Sequence, residues 1–174
     1  MGQLNHWIAY SALAVTVLAF AKPAHAQCFP APAGFEICDL DAIAATPSAP
    51  EQGTLVISLE DDMWLDISAL PSDLNAMSDD DVLDLLFDIN AQDAGEQALS
   101  EISRDTLTAQ DVSASARVIS EQSDAGQSAF IMAVASRGET RLFLALDGGA
   151  APEPELLSAQ MQHVLDALRF QTES

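Results

Sequence analysis

Six consecutive apolar residues, Phe130-Ile131-Met132-Ala133-Val134-Ala135, lie between two polar turns and constrain this chain more than any other stretch. A strand that is apolar on both parities needs hydrogen-bonding neighbours at both edges and cover over its face. Its neighbours are close in sequence. Ser113–Glu121 reads as a strand and Ser123-Asp124-Ala125-Gly126-Gln127 as a turn, followed by the strand Ser128–Ser136. The tight turn Arg137-Gly138-Glu139 then leads into a strand over Thr140–Asp147. Strands joined by connections this short pair only antiparallel, so the last third of the chain is predicted to be a three-stranded meander.

The remaining elements follow from periodicity. Leu55, Ile57 and Leu59 alternate with Val56, Ser58 and Glu60, and the alternation resumes at Met63, Leu65 and Ile67, which predicts an N-terminal strand pair. Val82, Leu85, Leu86 and Ile89 recur at helical spacing behind Ser78 and Asp79-Asp80-Asp81, a capping-box-like start whose acids suit the positive end of a helix dipole. A short helical piece is expected over Glu96–Glu101. Pro152-Glu153-Pro154-Glu155 opens a terminal helix carrying Leu157, Met161, Val164, Leu165 and Leu168 on one face, with Arg169 at its negative end. The expected class is α+β: an antiparallel sheet made of the strand pair and the meander, with helices packed on one face.

Three regions are expected along the chain. Residues 1–26 read as a cleavable signal peptide: a 13-residue apolar run, Ile8 to Phe20, precedes the small-x-small triplet Ala24-His25-Ala26, and processing is predicted after Ala26. The run is shorter than the roughly 18 residues a membrane-spanning helix requires. The product is therefore expected in the periplasm or outside the cell. Residues 27–53 read as a Pro/Ala-rich arm and linker, and residues 54–174 as one domain. Cys28 and Cys38 are the two cysteines left after processing, in a compartment where disulfides persist, and the turn-rich segment between them lets them bond.

The order of elements, closing on the helix Leu165-Asp166-Ala167-Leu168-Arg169-Phe170, resembles that of exported domains of the PsbP/Mog1-like type. The resemblance runs over about Thr54 to Phe170 as an order of elements, with no residue motif to carry over. It implies a binding or assembly accessory in place of a catalyst.

Composition removes most chemistry. After processing, five arginines face 27 acids, a formal charge of −22, so nucleic acid is a poor partner. That region has no lysine for Schiff bases, one histidine (His163) on the terminal helix, no Gly-x-Ser-x-Gly elbow and no phosphate-binding glycine loop. No cofactor and no resident metal are expected. Carboxylates support two alternatives. One is a hydrolase acting through a pair of acids. The other is weak calcium response at Asp88-Ile89-Asn90-Ala91-Gln92, where Asp93 and Leu99 occupy positions at which an EF-hand needs Gly and Glu. The acidity itself is read as a solvated shell suited to saline surroundings. Asp61, Asp62, Asp79, Asp80, Asp81, Asp84 and Asp88 mark where a cationic partner would dock; a partner with an apolar patch is the other kind expected. Arg117, Arg137 and Arg141 lie in the meander; turn solubility is the favoured reading of the turn Arg137-Gly138-Glu139-Thr140-Arg141, and a small positive island there is the alternative. Oligomeric state is left open.

Overall fold

The computed structural model describes residues 28–40, 42–47, 53–59, 62–93, 98–110, 112–123, 126–150 and 153–170. The leader with its cleavage site, Asp61, Gly95 and Pro152 lie outside these. Ten strands and two helices follow in chain order: β1 Cys28–Pro30, β2 Phe35–Cys38, β3 Ala42–Pro47, β4 Thr54–Leu59, β5 Trp64–Ala69, α1 Asp79–Asp93, β6 Ala98–Ala109, β7 Val112–Ser123, β8 Gly126–Arg137, β9 Thr140–Ala150, α2 Pro154–Ala167 and β10 Leu168–Phe170. No described helix is long and apolar enough to cross a membrane.

Seven strands form one antiparallel sheet in the order β3-β4-β5-β9-β8-β7-β6, and β1-β2-β10 form a second, smaller one. The class is α+β. Both ends of the large sheet are built from hairpins, β3-β4-β5 and β6-β7-β8-β9, and the pairing of β5 with β9 joins them, setting Trp64 opposite Asp147 and Ile67 opposite Leu144. Because β6 begins at the far edge from β5, α1 must cross a face of the sheet to reach it. Gly138, at φ 60°, provides the left-handed residue that the tight turn from β8 to β9 requires.

Strand parity assigns the helices to opposite faces. Ala129, Ile131, Ala133 and Ala135 of β8 point into a core shared with Leu157, Met161, Val164 and Leu165 of α2. Met132 and Val134, one residue out of phase, pack with Val82 and Leu83 of α1. Helices packed on one face are therefore the wrong reading. The central strand is apolar on both parities because it is covered on both sides, and the architecture is helix, sheet, helix.

The strand count also grows. Ala98–Ala109 is the fourth strand of the meander, against the short helical piece expected over Glu96–Glu101, and pairs with β7 through a register shift between Glu101 and Ser103. The segment read as a linker carries β3, paired with β4. Leu168-Arg169-Phe170 leaves α2 as a strand against β2. Cys28 and Cys38 are register partners in β1 and β2 and are joined by a disulfide, as expected.

The two faces are finished unequally. On the α2 side, the helix and the small sheet close the core over Leu55, Ile57, Leu65, Ile67 and Leu144, with Phe35 and Ile37 of β2 fully buried. On the α1 side, the helix packs on β7 and β8. The neighbouring strip of β5 and β9 retains exposed side chains, Trp64 among them at 50%.

Candidate functional site

Three arginines beneath α1 account for much of the acidic cluster. Arg117 of β7 is 1% exposed, and its Nη2 donates to the Asp80 carbonyl at 3.1 Å and to Asp84 Oδ1 at 2.5 Å. Glu101 Oε2 lies 3.5 Å from the same guanidinium, and Arg104 bridges Glu101 and Asp84 from the strand beside it. Arg141 of β9 donates to the carbonyls of Leu74 and Met77 at 2.9 and 3.1 Å and pairs with Asp79 at 2.5 Å, while Ser136 Oγ donates to the other Asp79 oxygen at 2.9 Å. Arginine suits this role because its fork serves several acceptors at once and stays charged when buried. The Arg117 hydrogen bond, then the nearby cations, hold the Asp84 carboxyl below its ordinary range.

The alternative of an arginine island is set aside: Arg117 and Arg141 are taken up under α1, and Arg137 stands at the end of β8. Of the acids predicted as one docking surface, Asp79 and Asp84 face these arginines. Asp80 contributes its backbone carbonyl to Arg117. Asp81 receives the Ser78 hydroxyl at 2.7 Å and donates its N–H to Ser78 Oγ at 3.1 Å, closing the helix start. Asp62 is exposed just before β5, and Asp88 is exposed on α1. Residues 88–92 continue the helix, which turns alternate side chains to opposite sides and separates the oxygens that a calcium loop would gather. The cysteine sulfurs near Glu36 are bonded to each other and are not ligands. His163 is exposed on α2.

Beside α1 the open strip holds a cleft of about 280 Å³ lined by Trp64, Asp66, Asn90, Phe130, Met132, Phe143, Ala145 and Asp147. Each lining residue follows from parity and register. Leu65 and Ile67 of β5 point to the α2 core, so Trp64 and Asp66 point to the α1 side. Asp147 sits opposite Trp64 on β9 and opposite Phe130 on β8, while Ala145 is opposite both Asp66 and Met132. Asn90, near the end of α1, closes one side; its amide donates to the Leu86 carbonyl at 2.7 Å. The floor is apolar and the rim carries two carboxylates. Partial burial, then the Asp147 charge, push the Asp66 carboxyl above its ordinary range.

Sequence reasoning does not single out Asp66 and makes Asp147 only the end of a strand. A usable signal was present in Trp64-Leu65-Asp66-Ile67, where a large aromatic occupies the polar parity of a half-buried strand.

No family model and no curated protein sequence matches the chain. Its structure is similar to the solution structure of cyanobacterial PsbP (CyanoP) from Synechocystis sp. PCC 6803, with a TM-score of 0.59 and 13% identity over 90% of this chain and 98% of that one. The fold resemblance read from element order is therefore present, without a shared residue motif.

Proposed function

We propose that this protein is a non-catalytic binding or assembly accessory, acting outside the cytoplasm through the open half of its α1-side face. The observation that carries this reading is the cleft around Trp64: a half-exposed indole, an apolar floor and two carboxylates on a strip that the fold leaves uncovered although the opposite face is closed. Aromatic residues set in partly dry pockets dominate protein interfaces. The leader and the disulfide support an extracytoplasmic location, and the surplus of acid supports saline surroundings. The likeness to cyanobacterial PsbP agrees with an accessory role at the level of fold.

A hydrolase working through Asp66 and Asp147 is the weaker reading. A carboxyl acting as general acid at neutral pH is held in an apolar pocket that keeps its proton, whereas both of these carboxylates are exposed on the rim of an open cleft.

The test is retention of a specific partner from an extracytoplasmic extract by wild-type protein and by Trp64→Ala, at low and at high salt. Retention is expected to fall at least tenfold in the variant, with the melting temperature unchanged. Equal retention by both proteins, or none by the wild type at either salt, overturns the reading.

A further inference from the structure

We infer that the cleft beside α1 receives an arginine side chain presented by a partner protein, an inference that rests on the binding reading above. Trp64 has a carboxylate two residues along its own strand and another directly across the ladder, Asp66 and Asp147, on the same face of the sheet. Cross-strand partners stand about 5 Å apart at Cβ and i, i+2 neighbours about 7 Å. A cation resting on the indole face is therefore within reach of both carboxylates, while the ring quadrupole attracts it from below.

Charge points the same way. Among the described residues no cation lines the cleft. Lysine is absent after residue 22, and Arg104, Arg117 and Arg141 are engaged beneath α1. Partial burial that lifts the Asp66 carboxyl above its usual range is a cost that an incoming cation would offset.

Size and lining select the kind of cation. At about 280 Å³ the cleft falls at the lower end of small-molecule sites, enough for one long side chain. Phe130, Phe143 and Met132 offer apolar contact to a methylene stem whose charged end stays at the rim. A planar guanidinium stacks on indole and bonds carboxylates in pairs, whereas an ammonium does neither as well, so arginine is favoured over lysine.

The probe is a blocked Gly-Gly-Arg-Gly-Gly peptide, compared with the same peptide carrying citrulline in place of arginine. Binding is read from the Trp64 indole N–H resonance, identified by its loss in Trp64→Phe. The arginine peptide is expected to shift this resonance and to bind about tenfold more tightly than the citrulline peptide, an advantage that shrinks with salt. Asp66→Asn should weaken arginine binding about threefold and leave citrulline binding unchanged. Equal binding of the two peptides overturns the arginine assignment. So does the absence of any shift, and if partner retention still depends on Trp64 in that case, the binding reading survives; if it does not, both fall.

Discussion

Truncating Arg117 to alanine lowers the stability of the fold by about 3 kcal/mol, a fall of roughly 6–12 °C in melting temperature for a protein of this size. The expectation follows from what the side chain does. It is large, 1% exposed, and opposite Met132 in the ladder, so its removal opens a space between β7 and α1 as well as deleting the bonds to Asp80 and Asp84. The two ends of the ion pair are unequal. Losing Arg117 leaves Asp84 with water, because that carboxylate is exposed, whereas losing Asp84 leaves the buried guanidinium with Glu101 at 3.5 Å. The size of the arginine effect is therefore mostly lost packing and lost hydrogen bonds, and Arg117→Met should recover more than half of it. Thermal unfolding of the two variants beside the wild type checks both statements. If alanine and methionine destabilise equally, the polar contacts to Asp80, Asp84 and Glu101, and not packing, are what Arg117 supplies.

Removing the disulfide by Cys28→Ser with Cys38→Ser costs about 2–3 kcal/mol in the chain-entropy model of cross-linking. The bond closes a short loop of sequence separation 10, and among the described residues the β1 strand it secures has only β2 as a partner. Phe35 and Ile37 of β2 are fully buried against the α2-side core, so loosening this ribbon weakens the cover over β5 and β9 as well. Hydrogen exchange should report lost protection in β1, β2 and β10 first, with β7 and β8 protected until global unfolding. Uniform loss across both sheets, or a melting temperature indifferent to the change, would show that the small sheet does not depend on the cross-link.

What the sequence made legible, and what it concealed, has physical causes. The meander core, the strand pair, both helices and the disulfide all leave local signatures: alternation, helical spacing, caps and turn residues. The β6 strand does not. It is the edge of the sheet, and Ser100, Glu101, Ser103, Arg104 and Asp105 give it the charged composition that keeps edges from pairing further while erasing apolar alternation. The β3 strand is the other edge, and apart from Ile43 it is written in alanine, threonine and proline. The apolar run of β8 is visible in the sequence, but its doubled parity alone does not say whether one face is covered or both, and the fold covers both. The cleft was hidden for a different reason. Trp64 and Asp147 meet only because β5 and β9 join two hairpin systems across the middle of the sheet, and no local pattern encodes that pairing. Likewise, composition made every charged residue look solvated, and only the path of α1 across the sheet turns Arg117 and Arg141 inward.

Stability of Asp66→Asn against pH addresses the central claim most directly, namely that the rim of the cleft is arranged for binding and not for holding the sheet together. The native carboxyl is raised above its ordinary value, so the stability linked to it is complete below the unfolded-state value of about 3.8 and is lost as pH rises through the native one. Asparagine removes that loss. The variant is expected to melt above the wild type at neutral pH and together with it in acid below that range. A variant that melts below the wild type at neutral pH would make Asp66 a structural carboxylate and contradict the claim.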